Sequence, residues 1–562
     1  MPAANAAIWY MADGYDPAAR GINGRRVAGE GFLQGFFAHG DVTEFVCLAH
    51  SQPDHAAFAE LAKTYGVTRP LRHVRLDAPK AMAPVDVVSY PGPLPPQECW
   101  RRMPFGATAW AVTGITHTTA TQRVVQSFFD LRSAPQMPWD ANICTSTAVQ
   151  ASLRRLMELA EEHLALRFPG AILPTRPLLP VIPLGVNCDA HQRDPASGAA
   201  LRARLGIDPA DVVAVCISRL TPDEKFDPLP LFLAMELAAA EVKAKGGGRL
   251  HLILCGQFRE EVWSGVFARA AVQLMPSCGY HLLDGGKADE RKATLSAGDM
   301  FVFPVDNVQE TFGLAPVEAM AAGLPVVASD WDGMKDTVTP DTGFRIPTEM
   351  PRGGLADYLS FRHFGGTDGY LQYLGQLSAM TRIDVAALSR AIATLGIDPA
   401  LRAKMGQAAQ DRARRFFDWA AVIPQLQALW GEQSAMLHHA RSRGTGQATA
   451  PRSAATIPVF PAPDQMFAAY PSAPPPKDRR LVAVPKHEQS GPVELFDLRG
   501  YANRRRLIDD PVRIETILAA FRSAGPQGLT EAEAVAATGL HPAIVARATL
   551  WLLKYHLLTE VP

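Results

Sequence analysis

The chain has 562 residues, of which 48% are hydrophobic and 20% are charged. This composition is typical of a globular protein rather than a disordered one, and the length predicts about three or four domains. The 55 basic and 56 acidic side chains give a formal net charge of -1, which excludes binding to nucleic acid or anionic membrane through global charge.

Seven cysteines are scattered along the chain, and none forms a CxxC pair. The pattern therefore indicates neither a disulfide framework nor a zinc ribbon. The N-terminal stretch MPAANAAIWYMADG lacks the basic start and apolar run of a signal peptide. No stretch approaches the roughly 20 uninterrupted apolar residues that a membrane span needs. We expect a reduced, cytoplasmic protein, with peripheral contact at the inner membrane face left open.

Residues 1–190 alternate short apolar strands with amphipathic helices. The predicted strands are AIWYMA (7–12), EFVCLA (44–49), LRHVRL (71–76), DVVSY (86–90), WAVTGI (110–115), ANICTST (141–147) and LLPVIPL (178–184). Strands separated by helical crossovers predict a parallel sheet with both faces covered. This first segment is therefore expected to form a Rossmann-like domain.

Residues 191–440 repeat the scheme. The predicted strands are DVVAVCIS (211–218), RLHLILCG (249–256), YHLLDG (280–285), MFVFPV (300–305) and LPVVAS (324–329). A long helical stretch follows Asp418. The fold class is thus α/β, with two tandem doubly wound domains that are expected to bind a ligand between them at the carboxyl ends of their strands.

The C-terminal part of the chain changes in composition. Residues 441–494 are rich in Pro and Ala and are predicted to form an extended linker. Residues 495–562 are predicted to form a small helical module. In it Thr530 and Glu533 have the spacing of a capping box, Gly539 closes one helix and Pro542 opens the next. This order resembles a winged-helix module.

The most informative stretch is MFVFPVDNVQETFGLAPVEAMAAGLPVVASD (300–330). A buried strand ends near Val305, a polar loop carries Glu310, and a helix is predicted to begin near Ala315. Glu318 is then expected in the first helical turn, with the free amides of the helix start forming an anion site. The alternative is that Glu318 only complements the helix dipole and that Glu310 is a solvated loop charge.

Arg219 and Lys225, in ISRLTPDEK, follow the carboxyl end of a predicted parallel strand. Two cations at this edge are able to hold a diphosphate and to neutralise charge that develops as a sugar bond breaks. The alternative is a pair of surface cations bridged by Asp223 or Glu224.

Two weaker signals lie in the first domain. The string GINGR (21–25) places Gly24 in a strand-to-helix turn, where glycine permits close approach of a phosphate, although the string by itself favours an ordinary turn. His117, in GITHTT, ends another apolar strand, where a histidine is commonly a structural hydrogen-bonding group.

The string E-x7-E with FGL inside it, followed by EAMAAGLPVV, resembles the nucleotide-sugar site of retaining GT-B glycosyltransferases, in particular glycosyltransferase family 4. The resemblance implies a hexosyltransferase-type enzyme that moves a sugar from a nucleotide-diphospho-sugar, such as a UDP- or GDP-sugar. The acceptor is a glycan, a lipid-linked molecule or a protein, as in polysaccharide and glycoconjugate biosynthesis. The first domain is then the acceptor domain and the second the donor domain.

The resemblance also implies roles for individual residues of the donor domain. Glu310 is expected to hydrogen-bond donor sugar hydroxyls and Glu318 the ribose hydroxyls. The backbone of Phe312, Gly313 and Leu314 is expected to contact sugar and phosphate.

Four further residues have roles by the same resemblance. Arg219 and Lys225 are expected to neutralise the diphosphate, although Lys225 lies one residue later than the family pattern. Gly24 is expected to touch the diphosphate or the acceptor, and His117 to lie near the anomeric carbon. The family neutralises the diphosphate with Arg and Lys, so neither a cofactor nor an essential metal is expected.

Three alternatives stand beside this interpretation. Asp330-Trp331-Asp332 spells the metal-binding DXD of another glycosyltransferase fold, but after a strand of the second domain a loop role is favoured. The arginines 499, 504–506 and 513 form a basic cluster, but the apolar last helix disfavours DNA binding and favours a protein-docking module. The third alternative is a non-catalytic nucleotide-sugar-binding regulatory protein that acts through its C-terminal module.

Overall fold

Six parallel strands form the sheet of the first α/β domain in the computed structural model. The structure describes residues 3–16, 24–444, 457–473, 475–476, 478–485, 491–501 and 510–561. The strands are β1 (Ala7–Trp9), β2 (Phe45–Ala49), β3 (Leu71–Arg75), β4 (Val87–Ser89), β5 (Ala111–Ile115) and β6 (Ala141–Ile143). Their order across the sheet is β3-β2-β1-β4-β5-β6. The helices are α1 (Ala12–Tyr15), α2 (Gly24–His39), α3 (Gln52–Thr64), α4 (Pro96–Arg102), α5 (Gln122–Leu131) and α6 (Thr147–Arg167).

The second α/β domain has the same architecture. Its parallel strands are β7 (Val212–Arg219), β8 (Leu250–Gln257), β9 (Gly279–Asp284), β10 (Met300–Phe303), β11 (Val326–Ser329) and β12 (Gly343–Ile346), in the order β12-β11-β10-β7-β8-β9. Its first helices are α7 (Pro195–Arg204), α8 (Pro228–Ala244), α9 (Glu261–Leu274), α10 (Ala288–Ala297), α11 (Leu314–Ala321) and α12 (Met334–Thr337). The prediction of two doubly wound domains is confirmed.

A short antiparallel pair and five helices complete this part of the chain. The pair consists of β13 (Thr348–Glu349) and β14 (Arg382–Ile383). The helices are α13 (Asp357–Phe364), α14 (Tyr370–Ala379), α15 (Val385–Ile397), α16 (Pro399–Arg412) and α17 (Trp419–Ser442).

The inner strands of both sheets are apolar on both faces because helices cover both. In β1, Ala7 and Trp9 pack into one core cluster, whereas Ile8 packs into the cluster on the opposite face. In β7 the first six residues are buried without a break. This continuous burial is the reason that the strands appear in the sequence as apolar runs rather than as alternating patterns.

Helix α17 leaves the second domain and packs against the first. Trp419, Val422 and Trp430 lie in a core cluster of the first sheet, and Gln433 Nε2 donates to the Trp139 carbonyl oxygen at 2.9 Å. The chain crosses between the domains twice, and the two crossings lie side by side, since Val186 N–H donates to the Phe417 carbonyl at 2.8 Å. Both domains are thereby tied at one hinge region.

The predicted strand LLPVIPL (178–184) forms only in part. It makes isolated parallel bridges beside β6, in which the Leu178 and Ile182 N–H groups donate to the Asp140 and Cys144 carbonyl oxygens. Pro180, which lies between them, has no N–H to donate, so the ladder lacks one hydrogen bond.

A second compact unit spans Pro458–Pro562. It contains α18 (Pro463–Met466), β15 (Leu481–Ala483), α19 (Pro492–Arg499), α20 (Pro511–Ala524), α21 (Glu531–Thr538), α22 (Pro542–Lys554) and β16 (Leu558–Glu560). Thr530 and Glu533 form the capping box expected at the start of α21.

The boundaries of this unit differ from the sequence prediction. Strand β15 lies inside the predicted linker 441–494, yet it pairs antiparallel with β16. The two strands are about 80 residues apart in the sequence, so the local composition gave no sign that they pair. The resemblance to a winged-helix module remains a prediction. Arginines 504–506 lie outside the described residues. Within the described ranges, no helix is both long and apolar enough to cross a bilayer.

Candidate active site

Glu310 and Lys225 form an ion pair at the carboxyl edge of the second sheet. Lys225 follows β7, Glu310 lies in the loop between β10 and α11, and Lys225 Nζ contacts Glu310 Oε2 directly. The side chains are only 17% and 12% exposed, respectively. Burial raises the pKa of Glu310, but the Lys225 ammonium and two backbone amides outweigh it and lower the pKa overall. The carboxylate is therefore ionised and fixed in place.

The start of α11 binds this same carboxylate. Glu310 Oε1 accepts the Gly313 N–H at 2.9 Å and, more weakly, the Phe312 N–H at 3.4 Å. Gly313 has φ 84°, and a Cβ there would lie 2.8 Å from Met334 Sδ, so glycine is required for both conformation and space. The Gly313 amide is thus used internally, and the amides of Leu314 and Ala315 are those that the helix start presents to an anion.

Glu318 is the fifth residue of α11 and lies just past the first turn, in which the sequence places it. The helix begins at Leu314 with Gly313 as its N-cap, so its first turn contains no acidic residue. The early start follows from the left-handed Gly313, which ends the loop sooner than the Pro316 signal suggests. The Glu318 side chain is half-buried, and it remains on the helix that faces the site.

Arg219 shares a buried carboxylate with a second arginine. Arg219 Nη1 donates to Glu224 Oε2 at 2.9 Å, and Arg259 Nη1 contacts the other oxygen of Glu224. Glu224 is 6% exposed, whereas the Arg219 and Arg259 side chains are 45% and 55% exposed. Of the two partners that the alternative interpretation gave for Arg219, Asp223 and Glu224, the structure shows Glu224. Both guanidinium groups therefore stay partly exposed beside one buried carboxylate, with Asp223 as a further acidic neighbour of Glu224.

His117 meets the Glu310 loop across the two domains. Thr311 Oγ1, one residue after Glu310, donates to the His117 carbonyl oxygen at 3.0 Å. Thr145 Oγ1 donates to the Thr311 carbonyl oxygen at 3.1 Å. The structure therefore brings the His117 backbone against the residue that follows Glu310, although the two segments are separated by almost two hundred positions.

Two aspartates of the second domain contact the start of α6 in the first. Ser146 Oγ donates to Asp332 Oδ1 at 2.5 Å, and the Thr147 N–H and hydroxyl both donate to Asp336. Burial raises the pKa of Asp332 to about 7, and the charges of Glu310 and Asp336 add to the shift. Asp332 thus titrates near neutral pH at the contact between the domains.

The two aspartates of the DXD string contact different residues. Asp330 pairs with Arg345 at 3.3 Å, whereas Asp332 faces Ser146. The loop role favoured from the sequence agrees with these contacts, while the expectation that no metal is needed remains a prediction.

An apolar cleft lies beside His117 in the first domain. It holds about 580 Å³ of space, part of it open to solvent. Its walls combine the ends of β4, β5 and β6 with faces of α2 and α17. Aromatic and aliphatic side chains dominate the lining, including Tyr15, Phe32, Ile115, Trp419, Val422 and Trp430. The cleft is suited to an apolar group on a molecule that reaches His117.

Gly24 is the first residue of α2, whose later residues Ala28 and Gly29 line the cleft. The rest of the predicted glycine loop, residues 21–23, lies outside the described residues. Gly24 therefore lies in the helix and not in the turn before it, where the sequence places it, and its contact with substrate stays a prediction.

Sequence reasoning missed the roles of Arg259 and Ser146. Arg259 follows β8, the strand next to β7. Its position after the carboxyl end of a parallel strand could have identified it as a candidate site residue. Ser146 carries the N-cap signal of α6, but its contact with Asp332 depends on how the two domains meet.

Comparison with known proteins identifies the second domain. Residues 212–360 match the family model described as glycosyl transferases group 1. A GDP-mannose-dependent phosphatidylinositol monomannoside mannosyltransferase of Mycobacterium tuberculosis is 30% identical over 181 residues, covering 31% of this chain and 43% of the relative. A D-inositol 3-phosphate glycosyltransferase of Corynebacterium efficiens is 28% identical over 234 residues, covering 41% and 45%. The chain thus spans less than half the length of these curated relatives.

Among solved structures, Anabaena HepE in complex with UDP and glucose aligns over 76% of this chain and all of its own, with 16% identity and a TM-score of 0.47. The resemblance to a GT-B group 1 glycosyltransferase is confirmed by the family match, together with the two parallel six-stranded sheets.

Proposed function

We propose that this chain, whose second α/β domain is a group 1 glycosyltransferase domain, is an active retaining glycosyltransferase of the family 4 type. Its donor is a nucleotide-diphospho-sugar. The observation that carries the proposal is the Glu310–Lys225 pair at the start of α11, since it fixes an ionised carboxylate beside free helix amides and a cation.

The charges of the site match the parts of such a donor. Arg219 and Arg259 keep partly exposed guanidinium groups beside Glu224, and Lys225 lies beside Glu310 at the start of α11, so these three cations are the groups that would hold a diphosphate. Glu310 and the half-buried Glu318 present acceptors for hydroxyl groups of the sugar and the ribose, respectively. No step in this scheme uses a metal.

In the proposed reaction, the bond between the anomeric carbon and the leaving diphosphate oxygen breaks. The acceptor hydroxyl oxygen forms the new bond on the same face, and its proton passes to the diphosphate oxygen. Arg219, Lys225 and the α11 amides stabilise the charge that grows on the diphosphate. His117 lies across the domain contact from Glu310, where the sugar would sit. Contact between the domains excludes water and so limits hydrolysis of the donor.

The acceptor would enter from the first domain through the apolar cleft beside His117. An acceptor with an alkyl chain or another apolar group would bury that group against Phe32, Trp419 and Val422. The mannosyltransferase relative is named for a phosphatidylinositol monomannoside. We therefore propose lipid-linked acceptors ahead of free glycans and proteins.

The test is nucleotide release by the purified chain with UDP-, GDP- and ADP-sugars, GDP-mannose included, in the presence of alkylated and unmodified sugar acceptors. We expect release that depends on acceptor, and a product whose anomeric configuration by NMR equals that of the donor. An inverted product would contradict the retaining mechanism. Nucleotide binding by calorimetry without turnover on any acceptor would favour the non-catalytic alternative.

A further inference from the structure

A thiol and two imidazoles meet at the outer edge of the first sheet, away from the candidate active site. One ligand atom from each of Cys47, His55 and His73 lies within 4.8 Å of those of the other two. Among the described residues, this is the only group of three or more His, Cys, Asp or Glu side chains at such spacing. The proposed glycosyl transfer uses none of them.

The fold places these three side chains together by strand register and helix packing. Cys47 on β2 and His73 on β3 are direct partners in the parallel ladder, so their side chains share one face of the sheet. Helix α3 covers that face, since its Phe58 and Cys47 lie in one core cluster. His55, on the first turn of α3, is 3% exposed and completes the group.

A backbone contact holds one of the imidazoles. His55 Nε2 lies 3.1 Å from the Val74 carbonyl oxygen. Donation of Nε2–H to that oxygen sets the tautomer in which Nδ1 carries a lone pair. Metal-ligating histidines typically donate their second ring nitrogen to a carbonyl or a carboxylate in this way.

We propose that Cys47, His55 and His73 bind one zinc ion. One thiolate and two neutral imidazoles are the donor set that Zn²⁺ prefers, whereas Mg²⁺ and Ca²⁺ require oxygen ligands. Tetrahedral zinc with bonds of about 2.0–2.3 Å places its ligand atoms roughly 3.5 Å apart. The present spacing, within 4.8 Å, would have to shorten by roughly 1 Å on binding.

The binding step releases the proton of the Cys47 thiol as the zinc–sulfur bond forms. Cys47 and His55 are buried, but His73 lies on the edge strand β3 and is exposed. The fourth position therefore faces solvent and is filled by water or by a small anion. The bound ion ties α3 to the edge of the sheet.

The inference is tested on the tag-free full chain, stripped with a chelator and kept reduced, by titration with Co²⁺ and competition with Zn²⁺. We expect one equivalent of Co²⁺, with a thiolate-to-metal charge-transfer band and the visible bands of tetrahedral cobalt, both abolished by Zn²⁺. Zinc should also raise the melting temperature.

Matched variants separate this site from adventitious binding. His73→Ala, at an exposed position, should keep the fold and lower zinc affinity at least about tenfold, and Cys47→Ser should remove the charge-transfer band. The controls are His39→Ala, at an exposed position of α2, and Cys99→Ser, at another buried cysteine of this domain. Both should leave the zinc affinity and the charge-transfer band unchanged. Equal loss in His73→Ala and His39→Ala, or a cobalt spectrum without the thiolate band, would overturn the proposal. Neither result would bear on nucleotide release, so the two proposals fail separately.

Discussion

The two α/β domains share one fold but differ in the chemistry at the carboxyl ends of their strands. In the second domain this edge carries charged side chains beside a helix start. Arg219 and Arg259 both contact Glu224, and Lys225 pairs with Glu310. In the first domain the corresponding edge opens into an apolar cleft with His117 at its border. The same topology therefore offers an anion site on one side and a site for an apolar group on the other.

The difference shows that the parallel sheet fixes where a ligand binds, while the loops and added helices fix what binds. Helix α17 supplies Trp419, Val422 and Trp430 to the first domain's cleft. At the carboxyl edge near Glu310 the added helix is α14, whose Ser378 hydrogen-bonds Asp306. Four variants test this division of chemistry between the domains.

The largest effect is expected from Arg219→Ala. Removing one cation that stabilises the leaving diphosphate should lower kcat/KM by roughly 10²–10³, while the fold is kept because the side chain is 45% exposed. Steady-state nucleotide release gives the measurement. Arg204→Ala is the matched control, since Arg204 makes a similarly exposed ion pair with Glu290 in the same domain. Wild-type turnover in Arg219→Ala would remove this residue from the site.

A smaller effect is expected from Glu318→Gln. The neutral amide loses charge-assisted hydrogen bonds to the ribose hydroxyls, so the donor Kd should rise by roughly 10–100-fold with kcat less affected. Calorimetric titration with the nucleotide diphosphate measures it. Glu349→Gln, at an exposed carboxylate of the same domain, should bind as the wild type does. Equal affinity in both variants would contradict the ribose contact.

Phe32→Ala tests the first domain. Loss of a half-buried ring from the cleft should raise KM for an alkylated acceptor about tenfold and leave donor affinity unchanged. Phe129→Ala, a half-buried phenylalanine outside the cleft, is the control for general destabilisation. If KM for the alkylated and the unmodified acceptor rose equally, the cleft would not be the site of the apolar group.

The smallest effect concerns the contact between the domains. The folded-state pKa of Asp332 is raised by burial to about 7, above its ordinary value of 3.8. Between pH 3.8 and about 7, Asp332 therefore keeps its proton in the folded state and loses it in the unfolded state. The free energy of unfolding falls as the pH rises through this range. Asp332→Asn removes the charge, still accepts from Ser146, and tolerates the φ of 36° at this position. It should be more stable than wild type at pH 8, on the order of 1 kcal/mol, and similar near pH 4.

Thermal unfolding across this pH range gives the comparison. Asp330→Asn, which alters a 42%-exposed carboxylate paired with Arg345, should show no such gain at pH 8. A pH-independent difference between Asp332→Asn and wild type would contradict the shifted titration.

Much of the donor domain was predictable because its signals are local. The apolar run of β7 placed Arg219 at a strand end, and the sequence around FGL placed Glu310 before a helix. The same local reasoning was less accurate at LLPVIPL (178–184), where Pro180 removes one hydrogen bond of the ladder, and at Glu318, which lies just past the first turn of α11. Local patterns describe hydrophobic periodicity well, but they do not show which backbone groups find partners.

The sequence by itself determined two doubly wound domains, a capped C-terminal helix pair and the residue types at the strand ends. The tertiary structure decided which of these residues meet. The Lys225–Glu310 pair, the Thr311–His117 hydrogen bond and the Cys47–His73 register each join residues that lie far apart in sequence. Such contacts depend on the order of strands within each sheet and on how the two domains pack, and hydrophobic periodicity does not encode either of these.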